Sequence, residues 1–336
     1  MKKNKLYKNV TLIIILIIVL IAVSLFAMTV GAADISVKNL FNILINKHES
    51  WQYTVLMKIR MPRIIMGFAV GGALGLAGAL LQGIFRNPLV EPYTLGISGG
   101  ASLGVCLVII FHLASIIGII AYPLFGFLGA ILTMVVIYAT AIRKGGMKIN
   151  NLLLTGVMLS FICSSAVMLM MSLSGVKELQ SIVFWTMGSL DETNTGLIYL
   201  IVAVSILGLA ASYFFCLDLN GFTIGEEEAA HIGINTERTK KWVFILASVL
   251  TGLSVSVAGI IGFVGLVVPH IIRMFTGPDH RILLIASFLS GGIFLIICDT
   301  IARTVISPLE LPVGVITGII GGILFIYAIN KKKVTL

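Results

Sequence analysis

Long apolar runs recur along the whole chain, and they constrain its fold more than any other feature of the sequence. A membrane-spanning helix needs about 20 mostly apolar residues. Only 11% of the residues are charged, against about a quarter in an ordinary soluble protein. The sequence therefore predicts an all-α polytopic membrane protein, in which residues 1–336 form one transmembrane domain of about ten helices. The runs lie near residues 9–30, 62–85, 93–112, 116–141, 150–172, 194–216, 242–259, 262–275, 282–302 and 311–330, and several are short and glycine-rich, which indicates half-helices.

The positive charges are distributed unevenly between these runs. The chain has a net charge of +9, but no basic helix or basic face interleaved with aromatic residues indicates binding to nucleic acid. When the N-terminus is placed in the cytoplasm, most of the 23 Lys and Arg residues fall in cytoplasmic segments, as the positive-inside rule requires. We therefore expect a multi-pass protein of the cytoplasmic membrane, surrounded by lipid, with both termini in the cytoplasm.

The first apolar run has two interpretations. It could belong to a signal peptide that is cleaved near residues 30–32. Its apolar stretch of nearly twenty residues, however, exceeds the usual length of the apolar region in a signal peptide. A retained first span is therefore the preferred interpretation.

One break between the runs carries the sequence RNPLVEPYTLGISGG at residues 86–100. Its prolines end a helix, because proline lacks a backbone N–H and disfavours helical geometry in the preceding residue. The break is either a tight turn between packed helices or the rim of a transport pathway. A similar stretch, RTVISPLELPVGVITGIIGG, occupies residues 303–322, and a Gly-Gly pair precedes each of the two. This echo predicts an internal inverted repeat, which is typical of transporters.

Several longer motifs follow one another in a fixed order. The stretch RMPRIIMGFAVGGALGLAGALLQGIFRNPLVEPYTLGISGGASLG at residues 60–104 resembles the signature of the FecCD family, the permease subunits of binding-protein-dependent ABC importers for iron-siderophores, haem and cobalamin. The resemblance extends from about residue 55 to the end of the chain. Further matches are LLLTGVMLS (152–160), FWTMGSL (184–190), GEEEAAHIGIN (225–235), GIIGFVGLVVPHIIRMFTGPDHR (259–281) and CDTIARTVISPLELPVGVITGIIGG (298–322).

The resemblance implies a cobalamin-permease-like subunit of ten spans that works as a homodimer or as a heterodimer with a similar permease. It also implies two cytoplasmic ATPase subunits and one external binding protein, periplasmic or lipid-anchored, as partners. The chain contains no Gly-x-x-x-x-Gly-Lys-[Ser/Thr] loop, so ATP is expected to bind to the separate subunit. We expect no catalytic residue, no cofactor and no resident metal.

Residues 217–241 form the one sizeable polar segment between spans that is expected in the cytoplasm. Glu226 and Glu227 begin a short helix-forming stretch, where the helix dipole favours acidic residues. A solvated loop is the alternative. The resemblance implies instead that the segment docks on the ATPase, with contacts from Glu226, Glu227, Ala229 and Gly233.

Two turns are expected to gate the path on the cytoplasmic side. The first is Asn87 to Leu89 in the broken segment, and the second is Ile149 and Asn150, where the resemblance places the entry to the fifth span. Turns of proline and small polar residues can move as units while the helices behind them stay packed. The alternative is that both turns are passive connections.

Three arginines lie at span ends on the side where positive charge is disfavoured. Arg60 and Arg63 precede the second span, and Arg303 ends the ninth. Lipid-phosphate anchoring is one explanation, and local pairing, such as that of Asp299 with Arg303 four residues later, is another. The resemblance implies that an external binding protein docks through its acidic residues on these arginines, since a guanidinium holds a carboxylate through two parallel hydrogen bonds.

Other function classes find less support in the sequence. His231, His270 and His280 are not at metal-ligand spacing, and the four cysteines form no C-x-x-C pair. An ion-coupled secondary transporter would need a carboxylate near the membrane midplane, and a membrane enzyme would need paired acids or a nucleophile; the sequence offers no clear example of either. We therefore expect import of an iron-siderophore complex, with haem or cobalamin as the alternative substrates and specificity mainly in the binding protein.

Overall fold

The computed structural model describes residues 2–31, 51–142 and 149–331, and within these ranges every regular element is a helix. The long helices are α1 (Lys2–Thr29), α2 (Met61–Phe85), α3 (Ile97–Ile110), α4 (Ala121–Ile142), α5 (Ile149–Leu173), α6 (Thr195–Tyr213), α7 (Thr236–Ala258), α8 (Val264–Thr276), α9 (His280–Thr304) and α10 (Val313–Lys331). Eight of them are long and apolar enough to cross a membrane. The other two, α3 and α8, are shorter apolar helices of 14 and 13 residues. The predicted all-α class is confirmed.

Short helices connect several of the spans. Two of them, Cys216–Phe222 and Glu226–His231, follow each other between α6 and α7 and are called the short pair below. The others are Pro92–Leu95, Ala114–Ile117 and Val176–Thr186. The chain enters α2 through a helical turn at Trp51–Thr54 and a π-helical stretch at Val55–Arg60.

The second span therefore begins earlier than the sequence predicted. Pro62 indicated a helix start at residue 62, but the backbone N–H of Met61 bonds to the carbonyl oxygen of Leu56, five residues earlier. A π-helical turn of this kind relaxes the backbone ladder just ahead of the proline, which cannot donate to it. The helix continues through the position where the sequence indicated its start.

Helix α2 lies at the centre of the bundle. In its most apolar window 89% of the residues are buried, compared with 6% for α1 and 22% for α5. It packs against α6, α7, α8 and α9, whereas α1 lies at the periphery against α9. The core is thus built around one helix, and the exposed apolar surface of the peripheral helices is suited to contact with lipid.

Helices α2 and α9 run antiparallel and cross at two glycines. A Cβ atom on Gly71 would overlap the carbonyl oxygen of Gly291, and a Cβ atom on Gly291 would overlap that of Gly71. Only glycine lets the two backbones approach so closely. Reciprocal contacts of this kind are those of a local two-fold axis between the helices.

The aromatic residues beside these glycines repeat the same relation. Phe68 packs on Gly292 and Phe288 packs on Gly72, and in each case a glycine Cβ atom would lie 2.8 Å from the ring. The two rings meet edge to face, with their centroids 5.3 Å apart. The shared pattern is FAVGG at residues 68–72 and FLSGG at residues 288–292. The Gly-Gly pairs that precede the two similar stretches therefore contact each other in the middle of the bundle.

The segment between α2 and α3 packs onto the junction between α7 and α8. Oε1 of Glu91 accepts a hydrogen bond from the backbone N–H of Phe263 at 2.6 Å, and the hydroxyl of Tyr93 accepts one from that of Ile261 at 3.1 Å. Phe263 has a left-handed backbone conformation with φ 68 and precedes the first residue of α8. Side chains of one broken stretch thus satisfy backbone groups of another, as non-helical backbone within a membrane requires.

Gly291→Ala is expected to destabilise the protein by roughly 1–3 kcal/mol, because the added methyl group forces two packed backbones apart. The higher helix propensity of alanine alone would stabilise the variant by about 1 kcal/mol, and we expect the forced separation to outweigh it. Gly318→Ala in α10 is the matched control, because its Cβ atom would meet no atom within 4 Å. Thermal unfolding of the purified chain in detergent measures both variants. Equal unfolding midpoints would contradict the close crossing.

Candidate functional site

Two of the three predicted docking arginines meet at one end of the bundle, which we call the arginine end. Asp299 in α9 accepts a hydrogen bond from Nη2 of Arg63 at 2.9 Å and another from Nε of Arg303 at 2.9 Å. The pairing of Asp299 with Arg303 that the sequence spacing predicted is thereby confirmed. The three side chains are only 3–6% exposed and form a buried triad that links α2 to α9.

A second carboxylate reaches the triad from the turn after α9. Nη1 of Arg63 donates to Oε2 of Glu310 at 2.6 Å, and the side chain of Glu310 is 50% exposed. Nη2 of Arg303 is buried and has no hydrogen-bond partner among the described residues. The charged group that this cluster presents to solvent is therefore a carboxylate.

Arg60 has a different environment at the same end. Its Nη1 donates to the carbonyl oxygen of Met28 at 2.6 Å, in the last turn of α1, and its guanidinium lies against Gly31. A cation is favourable there, because the C-terminal end of a helix carries partial negative charge. Arg60 is 2% exposed, so it joins α1 to the second span.

The structure describes the surroundings of the arginines at which the resemblance implies docking of a binding protein, and that docking stays a prediction. In the structure all three side chains are buried and bonded within the chain. Sequence spacing identified only the partner four residues away, because Glu310 and Met28 reach the arginines through the tertiary fold.

The predicted coupling segment lies at the opposite end, which we call the short-helix end. The buried Nζ of Lys240 in α7 forms an ion pair with Glu226 and a second one with Glu237 at 3.2 Å. The hydroxyl of Thr239 donates to Oδ2 of Asp218 at 2.7 Å. Both helices of the short pair are therefore fixed to the first turns of α7.

Asn220 connects the short pair to α9 as well. Its Oδ1 accepts a hydrogen bond from the backbone N–H of His280 at 2.8 Å, and its Nδ2 donates to Oδ1 of Asp279 at 3.1 Å. Asp279 is the N-cap of α9. The short pair is thus held by side chains to two long helices, α7 and α9.

Three of the four predicted coupling residues lie in the second short helix, and Gly233 follows its end. Glu227 and Gly233 are exposed, and Glu226 is partly buried by its pairing with Lys240. Ala229 is fully buried within the chain. It lies three residues after Glu226 and therefore shares the helix face that packs on the chain. Ala229 therefore offers no exposed side chain to a partner, whereas Glu227 lies on the open face. The contact of this segment with an ATPase stays a prediction.

The predicted gate residues lie on exposed turns. Oδ1 of Asn87 accepts a hydrogen bond from the backbone N–H of Leu89 at 2.9 Å, and Leu89 is 56% exposed. Asn150 is exposed in the first turn of α5, while the side chain of Ile149 lies outside the described residues. The structure places both turns at the surface, and their role in gating stays a prediction.

The segment that follows the first turn packs directly on α5. A Cβ atom on Gly156 would lie 2.8 Å from Cα of Leu95, and one on Gly96 would lie 2.8 Å from the carbonyl oxygen of Gly156. The small residues after the broken stretch therefore allow close helix packing, as the sequence predicted.

His270 and the four cysteines are buried side chains. His270 is buried and meets the ring of Phe325 edge-on, with the centroids 5.6 Å apart. All four cysteines are buried and free. Residues 2–31, 51–142 and 149–331 contain no group of three or more His, Cys, Asp or Glu side chains that could hold a metal ion.

Known proteins resemble this chain in both sequence and fold. The model of the FecCD transport family matches residues 16–331. The chain belongs to the FecCD transport family. It is 36% identical to the hemin transport system permease HmuU of Yersinia pestis over 95% of each chain. It is 34% identical to the Fe(3+) dicitrate transport system permease FecD of Escherichia coli, covering 97% of this chain and 100% of FecD.

A solved structure confirms the fold of this FecCD permease. It is described as a metal-chelate type ABC transporter in an inward-facing conformation, and it matches with a TM-score of 0.86 and 29% identity over 96% of this chain and 99% of that one. The chain is therefore a multi-pass membrane permease of the ABC importer type. In this family ATP hydrolysis takes place on a separate subunit.

Asp299→Asn is expected to cost about 3–5 kcal/mol of stability, because it leaves Arg63 and Arg303 buried without a full counter-charge. Glu310→Gln is the control, since it removes the other, half-exposed partner of Arg63 and should cost about 1 kcal/mol or less. Thermal unfolding of the purified permease compares the two. A loss for Asp299→Asn as small as that of the control would contradict the buried triad.

Proposed function

We propose that this FecCD permease carries an iron-siderophore complex into the cytoplasm, driven by ATP that partner ATPase subunits hydrolyse. The observation that carries the proposal is the short pair, which side chains hold to both α7 and α9. The names of the relatives HmuU and FecD refer to hemin and ferric dicitrate, so an iron chelate is the chemistry they share. Haem is one alternative substrate and cobalamin is another, since a cobalamin import permease is also among the relatives.

We assign the orientation of the permease in the membrane from the short-helix end and the arginine end. The short-helix end faces the cytoplasm, where the ATPases lie, and the arginine end faces an external binding protein. Both termini are then cytoplasmic, in agreement with the distribution of Lys and Arg. Helix α5 exposes large apolar side chains such as Met158 and Phe161, and we assign this face to a second permease subunit, identical or similar, with the path between the two.

Uptake of a radiolabelled chelate tests the substrate and the energy source together. A strain that lacks this permease should lose uptake of ⁵⁵Fe-siderophore, and the intact chain should restore it. Depletion of ATP should stop the restored uptake, while collapse of the proton gradient at constant ATP should leave it unchanged. Restored uptake of haem or cobalamin alone would favour the alternative substrates. Uptake that follows the proton gradient would indicate an ion-coupled carrier instead.

Glu227→Lys is expected to weaken association with the ATPase at least tenfold, because a reversed charge at a contact costs several kcal/mol. Glu227 is exposed on the short pair, so the variant should fold normally. Glu226→Lys is less informative, because it also breaks the internal pair with Lys240. Asp191→Lys, an exposed acid at the arginine end, is the control. Unchanged binding of the ATPase to Glu227→Lys in a pull-down titration would contradict this contact.

Glu310→Gln is expected to strengthen docking of the binding protein several-fold. We propose that a carboxylate of the binding protein replaces Glu310 on Nη1 of Arg63, while Arg60 and Arg303 hold the surrounding helices in place. The variant removes the competing carboxylate, and docking should remain weaker at high salt because rim charges are screened. Asp191→Asn makes the same charge change at another exposed acid of the arginine end. An affinity that changes equally in both variants would contradict the exchange.

Cysteines placed at Leu89 and Asn150 are expected to crosslink between the two permease subunits in one nucleotide state and not in the other. Both positions are exposed and the four native cysteines are buried, so background crosslinking should be low. The yield is measured on gels with and without trapped ATP in the assembled transporter. Equal yields in both states would indicate passive turns.

A further inference from the structure

A small cavity at the short-helix end is lined by polar and positively charged residues of four different elements. It contains Gln82 at the end of α2, Thr223 inside the short pair, Arg273 in α8 and His280 at the start of α9, with the exposed Arg86 at its edge. The cavity has an empty volume of about 300 Å³, part of which is open to solvent. Within it the centre of a water-sized group has about 20 Å³ to occupy, which is room for about one such group.

Arg273 is the unusual member of this group. Its side chain is buried, with the residue 5% exposed, and neither Nη1 nor Nη2 has a hydrogen-bond partner among the described residues. None of the residues that line the cavity is acidic. A buried guanidinium without a counter-charge is strongly unfavourable, whereas the arginines at the opposite end share Asp299. The cavity therefore fits a negatively charged group.

Two acceptors of the same cavity are also unsatisfied. Oε1 of Gln82 and Nε2 of His280 are buried without a partner among the described residues. Nδ1 of His280 lies 3.1 Å from Oδ1 of Asn220, an acceptor whose orientation is fixed because Nδ2 of Asn220 donates to Asp279. The Nδ1 atom must then carry the proton, so a neutral His280 presents a lone pair at Nε2. A matching ligand needs a negative charge and an O–H group.

We propose that this cavity binds an oxyanion that retains a proton, namely hydrogen phosphate or the monoprotonated form of a phosphomonoester. One phosphate oxygen accepts hydrogen bonds from Arg273 inside the cavity, and the P–O–H group donates to His280 or Gln82. The remaining oxygens lie at the mouth beside Arg86. Sulfate and chloride provide the charge without the O–H, and water provides the O–H without the charge. Such an anion would tie the ends of α2, α8 and α9 to the short pair.

Thermal unfolding of the purified full-length permease tests the site without transport or partner subunits. At neutral pH and constant ionic strength, phosphate should raise the unfolding midpoint in a saturable way, and sulfate and chloride should not. Arg273→Gln should weaken the apparent affinity for phosphate at least tenfold, because it removes a buried charge partner. Arg281→Gln, an exposed arginine at the start of α9, is the control with the same charge change and should bind normally.

A second variant keeps the test valid if Arg273→Gln does not fold. Arg86→Gln changes an exposed side chain at the mouth and should weaken phosphate binding several-fold.

Nanodiscs then separate two possible sources of the phosphate group, free phosphate and a lipid. If the phosphate group belongs to a lipid, phosphatidic acid, a monoester, should stabilise the protein and abolish the effect of added phosphate, while phosphatidylglycerol, a diester, should not. Equal stabilisation by phosphate, sulfate and chloride, or a phosphate effect that survives both variants, would overturn the proposal and leave a hydrated cavity.

Discussion

The close antiparallel crossing of α2 and α9 is the contact on which the rest of the structure depends. Gly71 and Gly291 bring two backbones together without intervening side chains, and dispersion contacts along such a pair replace the hydrophobic driving force that is missing between helices in lipid. Because the helices are antiparallel, this one contact fixes the register at both ends. It sets Arg63 opposite Asp299 at one end and Gly83 opposite the ring of His280 at the other.

The two broken stretches of the chain depend on each other for the same reason. Backbone that leaves a helix within a membrane exposes N–H groups that no water can satisfy. Glu91 and Tyr93 accept hydrogen bonds from the junction between α7 and α8, so one irregular segment satisfies the other. This explains why the apolar sequence is interrupted by Pro88, Glu91 and Pro92. The prolines end the helix, and the acid satisfies a second break 172 residues later in the chain.

The short pair is held firmly on one side and open on the other. Lys240 and Asn220 tie it to the first turns of α7 and α9, while Glu227 remains exposed on its outer face. A force applied to that face by a partner would reach both long helices, since charge-assisted bonds hold the inner face. Helix α9 also carries Asp299 at its far end, so the short pair and the arginine end are both attached to this helix.

The sequence by itself determined the class of the protein and much of its local geometry. Apolar run length predicted the spans, short glycine-rich runs predicted the shorter helices, and a spacing of four residues predicted the pairing of Asp299 with Arg303. These features depend on neighbours along one helix, so periodicity is enough to find them. Only the tertiary structure decided that the three arginines are buried, that Ala229 faces inward and that Arg273 lies in a cavity without a counter-charge. Each of these facts depends on groups from other elements that the tertiary fold brings close, and no spacing along the chain records which side chains meet in this way.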